Sequence, residues 1–443
     1  MMYNIIVVIC KKINIFFKID YCTCNKTAKG NRMKKTDLKN QLTQNVSYYS
    51  LFIIIESCIA IWFVMFNLAN NGVPLNTLML DPPAQLNDYF MHFGYASAPL
   101  GSNIYEISNN TVFPPFSYLM YGILARMTGY TAEDPANIRS HYRVGNNLTI
   151  YFIFTIICIF LMAYAISLYI KKKGFVSQVV FPCVLIVSYP FAFSTIQRGN
   201  SVLVVAVLLS IALVWRNDES KLKRELAMVL IAVCAGLKIY PALFGLLYIK
   251  EKRIPEAIRL VFYGAFVFFA PFVFWGGIDG FKMFLSRAFT LNTEVHRCTF
   301  SGVFNAAVEK LGGTVNPAVT NIVLQAFLVL SVAAFFVCKE KWGGVLLLAS
   351  LMAVYVSSGW MYTCIYILPA LLMFFAETSG REEKSLVDRL TDILVFVLFI
   401  VVFSIPYKLD YMFIYDTIVF IDCIYIVKSI TMFVYSFFQK NKA

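Results

Sequence analysis

The sequence predicts an all-α, polytopic bundle of transmembrane helices, and three observations carry that prediction. Hydrophobic residues make up 59% of the chain and charged residues only 14%, with a mean hydropathy of +0.69. A soluble domain carries roughly 25% charged residues. Apolar runs of the ~18 or more residues that cross a bilayer recur along most of the chain. Segments of about ten alternating residues, which would mark a barrel, are absent, and in hydrocarbon helices are then the remaining way to bond every backbone group.

Taken in order, residues 1–47 hold nine Lys or Arg against two acids and read as a basic cytoplasmic tail. The apolar run from Ile5 to Phe17 is broken by Lys11 and Lys12 and lacks a small-residue cleavage site, so it reads neither as a span nor as a signal peptide. Met33-Lys34-Lys35 reads as an ordinary start, which would put residues 1–32 outside the native protein. A single membrane domain is expected over 48–438, with outer loops at 70–113 and 277–315 and a short cytoplasmic tail at 439–443.

Tyr48 to Ala69 is the first span. After it comes the longest polar, aromatic interval in the chain, Leu86 to Tyr121, which carries no Lys or Arg. Asn147 to Ile170 is a full span closed by Lys171-Lys172-Lys173. Phe175 to Ile196 returns outward, Gln197-Arg198-Gly199-Asn200 makes a tight polar turn, and Ser201 to Trp215 goes back to a basic loop at 216–225. Leu226 to Ile249 is interrupted by Lys238 and Pro241 and is flanked by positive charge on both sides. A broken hairpin with its tip at 236–241 keeps both flanks in the cytoplasm, and proline helps break the helix there. Pro255 to Gly276, Pro317 to Cys338, Gly343 to Val356, Cys364 to Phe375, 390–406 and 411–437 supply the remaining segments. If Pro114 to Gly129 crossed fully, Lys171 to Lys173 would fall outside. Its apolar length is short of the ~20 residues a span needs, so it is expected to be re-entrant or half-inserted. The count is about eleven to thirteen membrane segments.

The net charge of +13 sits in short loops, where it marks orientation and does not point to a nucleic-acid partner. The eleven cysteines are scattered, mostly inside apolar runs, as small buried hydrophobes are. No HxxxH, DxD pair or dense acid cluster calls for a metal, although a divalent ion is left open, and no P-loop or GxGxxG calls for a nucleotide.

With this topology the polar tips converge on one side: the loop with Asp88 and His92, the turn 197–200, the tip 238–241, and the loop with His296 and Arg297. Trp360, Met361 and Tyr362 face the same way. A Lys or Arg at mid-membrane costs about 2.5–3.5 kcal/mol on insertion scales, so Lys238 and Arg198 need water, an anion or a function beside them. If Asn87 to Ala96 is a short interfacial helix, Asp88 and His92 share a face at i, i+4. A shielded carboxylate there fits a general base, and a solvated loop acid fits the same pattern. The two cations fit a phosphate that leaves during reaction, and they also fit snorkelling to the interface.

These clusters in this order resemble an integral-membrane glycosyltransferase of the GT-C superfamily, and glycosyltransferase family 87 above all. The resemblance rests on Asn-Asp-Tyr at 87–89, Asn-Ile-Tyr at 103–105, Phe-Pro-Pro-Phe at 113–116 and Gln-Arg-Gly-Asn at 197–200. It continues with Leu-Lys-Ile-Tyr-Pro at 237–241 and with Tyr362 and Tyr366 before Leu-Pro-Ala at 368–370. It covers about residues 48–375 and implies a GT-C-like bundle whose first outer loop carries the active site. It further implies a polyprenyl-phosphate sugar donor, often mannosyl, and transfer with inversion to a lipid or glycan acceptor outside the cytoplasm. By the same resemblance Asp88 is the catalytic base, with Asp81 the fallback, while Lys238, Arg198 and His296 surround the donor phosphate. Arg297, His92, Tyr105, Gln197, Asn200, Tyr240 and Tyr362 complete the expected substrate-binding set. Where such families show Asp-Asp or Asp-Glu, this chain has a lone Asp followed by Tyr, which leaves open a second carboxylate such as Glu106. A transporter or flippase of lipid-linked sugars is the alternative, but it would favour internal repeats and mid-span ionisable groups. A polysaccharide polymerase or ligase would place its large outer loop late in the chain.

Overall fold

The computed structural model describes residues 47–72, 86–130, 145–170, 174–290, 297–355, 361–378, 385–405 and 412–440. The tail before residue 47, Asp81, His141, Lys171 to Lys173, His296 and Trp360 lie outside the described residues. Every regular element among the described residues is helical. They are α1 (Tyr48–Ala69), α2 (Asn87–Ala96), a 3-10 turn at Ile104–Glu106, α3 (Pro115–Met127) and α4 (Asn147–Tyr169). A broken helix follows, with α5 (Phe181–Ile186) between π-helical pieces at Val176–Val180 and Tyr189–Ile196. Then come α6 (Val202–Trp215), α7 (Lys221–Leu237), a 3-10 stretch at Tyr240–Gly245, α8 (Leu246–Lys250) and α9 (Ile254–Phe269), which runs on as a 3-10 turn to Phe274. The chain closes with α10 (Gly277–Thr290), α11 (Phe300–Lys310), α12 (Pro317–Val337), α13 (Lys341–Val354), a 3-10 turn at Met361–Ile367, α14 (Leu368–Thr378), α15 (Leu386–Phe403) and α16 (Met412–Lys440).

Six of these helices are long and apolar enough to cross a membrane, and the bent pair around Ser188, kinked by 46°, makes up to seven. The other segments expected from sequence are present as shorter helices or, in the 18-residue α15, as a helix with three charged residues near its start. α6 and α13 have 14 residues each, about 21 Å at 1.5 Å per residue, against a hydrocarbon core of roughly 30 Å. Both are enclosed by protein: all 13 residues from Trp342 to Val354 in α13 are buried, as are most of those in α6. A helix apolar on every side belongs in a core, and these two make it. The longer helices wrap them and turn large side chains outward, such as Phe262, Phe266 and Val273, which suits contact with lipid.

Ionic and backbone contacts gather the basic loops at one end. Arg216 meets Glu251 at 3.1 Å, and Arg253 donates to the Arg216 carbonyl at 3.1 Å. Arg259 pairs with Glu225 at 3.1 Å, and Lys250 donates to the Phe335 and Cys338 carbonyls. Lys428 bridges Glu340 and Asp388. The chain therefore leaves this end at Lys221 and returns to it by Lys250, which is the hairpin expected from its two positive flanks. α7 has 17 residues, so its tip at Lys238 stands ~25 Å away.

α3 does not run to the basic end. Ser117 donates to the Leu237 carbonyl at the hairpin tip, 2.6 Å, while Arg126 in its last turn reaches the carbonyls of Ala96 and Ala98. Both its ends thus stay beside α2 and the tip. Its 13 residues span about 20 Å, short of the roughly 30 Å of a hydrocarbon core, and α4 runs from the tip end toward the basic end.

Candidate active site

The tip end has its own aromatic core, separate from that of the bundle, built from Tyr89, Phe90, Phe93, Tyr105, Tyr118, Tyr121, Trp275 and Phe284 among others. α2 is embedded in it. Eight of its ten residues are buried, Asp88 and His92 included, so this helix lies within the protein and not along its surface. Aromatic pairs add about 0.5–1.5 kcal/mol each beyond the area they bury, enough for several together to fix a helix this short.

The turn 197–200 grips the start of α2. Leu86 N donates to the Gln197 carbonyl at 2.7 Å, and Tyr89 N to the Arg198 carbonyl at 3.2 Å. Leu86 has a φ of +58°, a conformation that costs a branched residue of order 1–3 kcal/mol and persists only when its surroundings enforce it. Gly199 has a φ of +68°, and a Cβ there would lie 2.5 Å from Cβ of Tyr89. Only glycine fits both the turn and the approach.

This grip delivers Asp88 to its partners. Asn200 Nδ2 donates to Asp88 Oδ2 at 2.8 Å, and Arg198 Nε stands 3.8 Å from Oδ1. The carboxylate keeps 8% exposure for the residue as a whole: it is bonded and oriented, yet reachable. Lys238 comes from the hairpin tip. α7 ends one residue before it, Lys238 turns to an extended φ of −147°, and Ser117 satisfies the carbonyl left free at Leu237. Gly236 lets this tip close on its neighbours, since a Cβ there would come within 2.4 Å of Val267 and 3.2 Å of Phe116. Lys238 lies within electrostatic range of Asp88, as do Tyr121 and Tyr362. Tyr362 also feels Arg198 and Tyr240. Four separate stretches of chain therefore converge on one carboxylate.

The other expected residues divide. His92 is 1% exposed and its Nδ1 has no hydrogen-bond partner among the described residues. Burial, reinforced by the Lys238 charge, holds its pKa well below the ordinary value, so it is neutral at pH 7. Tyr105 acts on the loop, its hydroxyl donating to the Phe113 carbonyl at 3.0 Å. Gln197 contributes its carbonyl to the grip on α2. Arg297 is engaged by Asp416 of α16 at 2.8 Å, so a phosphate there would have to share it. Glu106 is exposed and accepts from Asn103 at 2.8 Å, an arrangement of the loop surface.

Two residues were given no role from sequence, although Phe113 belongs to the Phe-Pro-Pro-Phe turn at 113–116. Phe113 packs against His92 with ring centroids 3.9 Å apart and planes tilted by 32°, and Lys238 Nζ sits 3.1 Å from the centre of its ring. Tyr121 packs on Tyr89 and His92 beside Asp88. The two prolines after Phe113 were the available signal, because they hold the preceding residue extended and so present its ring.

No group of three or more His, Cys, Asp or Glu among the described residues could hold a metal ion. The family model of glycosyltransferase family 87 matches residues 110–363. No curated protein and no solved structure matches the chain. The matched stretch includes Phe113, Arg198, Asn200, Lys238 and Tyr362 and begins after Asp88, so Asp88 enters the site through the side chains of Asn200 and Arg198 that hold it.

Proposed function

The chain belongs to glycosyltransferase family 87, and from that membership we propose that this membrane glycosyltransferase uses a polyprenyl-phosphate sugar. The sugar is a hexose, with mannose favoured, and it passes with inversion to a hydroxyl of a lipid or glycan acceptor on the extracytoplasmic side of the cell membrane. The observation that carries the reading is the convergence on one oriented carboxylate, Asp88, of two basic side chains from separate segments, Arg198 at 3.8 Å and Lys238 within electrostatic range.

In this reading Asp88 takes the proton from the acceptor hydroxyl as the oxygen attacks the anomeric carbon. The bond from that carbon to the phosphate oxygen breaks, and the phosphate leaves with the electron pair on the face opposite the attack. Lys238 and Arg198 stabilise the charge that develops there, where little water competes with them. Positioned general bases contribute about 10²–10⁴ in rate. Asn200 holds one oxygen of Asp88 and leaves the other to face the acceptor. Tyr240 and Tyr362 supply aromatic walls with polar tips, as sugar recognition requires. The outward orientation is supported by the separation of this cluster from the basic end along α6 and α7, since basic loops favour the cytoplasm.

The test is transfer by the purified protein in lipid vesicles, offered polyprenyl-phosphate mannose and then polyprenyl-phosphate glucose with a membrane lipid extract as acceptor. The reading predicts labelled sugar in the lipid or glycan fraction with inverted anomeric configuration. Transfer only from nucleotide sugars, or none from any polyprenyl donor, would contradict it.

A further inference from the structure

We propose that Phe113 is a positioning residue that keeps the Lys238 ammonium off the Asp88 carboxylate, so that base and cation both remain available to substrate. The inference rests on the roles of Asp88 and Lys238 given above and adds a residue to which neither sequence nor family match assigned one.

A buried ammonium within electrostatic range of a carboxylate is expected to close on it, because a site with little water strengthens the attraction. Here it does not. Among the described residues, Asp88 is contacted by Asn200 and Arg198, while Lys238 lies with Nζ 3.1 Å from the centre of the Phe113 ring. The face of an aromatic ring is a genuine alternative partner for a desolvated cation. The ring is also fixed. Tyr105 Oη donates to the Phe113 carbonyl at 3.0 Å, and Phe113 N donates to Tyr118 Oη at 3.3 Å. Pro114 and Pro115 follow at once, and His92 packs against the ring. Because His92 is held neutral by burial, it supports the ring without adding a second positive charge. The backbone clamp and the imidazole packed against the ring hold Phe113 in place beside the lysine.

If the ring were removed, the ammonium would pair with Asp88. A carboxylate beside a cation has a lower pKa and is a weaker base. Leucine keeps the bulk of Phe113 and loses its π face, whereas tyrosine keeps both. In Phe113→Leu we expect kcat to fall about tenfold or more with the donor KM changed far less. The acid limb of the pH–rate profile should move down by about one unit, and Phe113→Tyr should behave as wild type. In a Lys238→Met background Phe113→Leu should have no further effect, because the ring acts through the lysine. A second readout does not depend on turnover. In protein labelled with 13Cε-lysine, the Lys238 resonance, identified by its loss in Lys238→Met, should be shifted upfield by the ring and return to the ordinary position in Phe113→Leu.

Additive losses of Phe113→Leu and Lys238→Met, an unmoved acid limb, or a Lys238 resonance indifferent to the ring would each overturn the proposal. Unfolding of Phe113→Leu would show as a lowered thermal midpoint, and Phe113→Met, which also keeps bulk without a π face, would then be read by resonance and pH profile, a wild-type result in both overturning the proposal. An inactive wild type whose Lys238 resonance still depends on Phe113 would overturn the transferase reading and support the placement of the lysine.

Discussion

Asn200 and Arg198 meet the same carboxylate in different ways. The amide makes a hydrogen bond of ordinary length, 2.8 Å, and the guanidinium stands off at 3.8 Å. An amide orients Asp88 without neutralising it, whereas a close guanidinium would quench its basicity, and this division suits a carboxylate that must accept a proton. His92 gives a prediction of its own. Burial, aided by Lys238, lowers its pKa in the folded protein, while the unfolded chain titrates near ~6.5. Between those values the unfolded state binds more protons, so stability declines as pH drops. The contribution is complete above about pH 6.5 and is lost progressively below it. Thermal midpoints in detergent from neutral to mildly acid pH should decline for wild type and decline less steeply for His92→Gln; an unchanged slope would assign the effect to another group. Asp88 and Lys238 were legible in the sequence because a charge in an apolar chain demands a reason. The partner of Arg297 was not, because Asp416 lies 119 residues away and no periodicity connects the two.

The broken hairpin between Lys221 and Lys250 was readable as an element because Pro241, Lys238 and two positive flanks allow no straight helix. The shortness of α3, 13 residues, was readable from its apolar length. What sequence could not supply is the joint between them. The hydroxyl of Ser117, on α3, is the hydrogen bond that satisfies the open end of α7 at Leu237. A hydrogen bond of this kind contributes about 0.5–1.5 kcal/mol net, and an orphaned buried carbonyl costs about 1–3 kcal/mol. Ser117→Ala should therefore lower the thermal midpoint by a few degrees. It should slow transfer more than it alters donor KM, since Lys238 follows directly on the released carbonyl. Wild-type stability together with wild-type turnover would remove Ser117 from the joint. Interior and lipid-facing helices were also hard to tell apart in sequence. α6 and α13 are apolar on all sides because protein surrounds them, and α1 and α12 are nearly as apolar because lipid does. Length separates most of them, although Met361–Thr378 is of span length and still largely buried.

At the scale of the molecule, basic loops gather at one end and the Asp88 cluster stands at the other, with α6, α7 and α16 running between. Arg297 and Asp416 belong to the far end and Lys428 to the basic end, the two acid-base contacts of α16 being about 18 Å apart along the helix. In the proposed topology the basic end lies in the cytoplasm. A cysteine at the exposed position Lys282 should react with an impermeant maleimide in intact cells, and one at exposed Lys221 only after lysis; the reverse pattern would turn the site inward. The overall class was plain from composition, because no soluble chain of this apolarity could hide its surface. The central placement of the two 14-residue apolar helices α6 and α13 was not, since it follows from packing among segments far apart in sequence.

The most direct test of the account is the rate of sugar transfer from polyprenyl-phosphate mannose by Asp88→Asn beside wild type, at matched amounts of folded protein. Asparagine keeps the shape of Asp88 and removes its capacity as a base. The account predicts that donor binding persists while transfer falls by about 10²-fold or more. Transfer at the wild-type rate in Asp88→Asn would contradict it and move the base to another acid of the first outer loop.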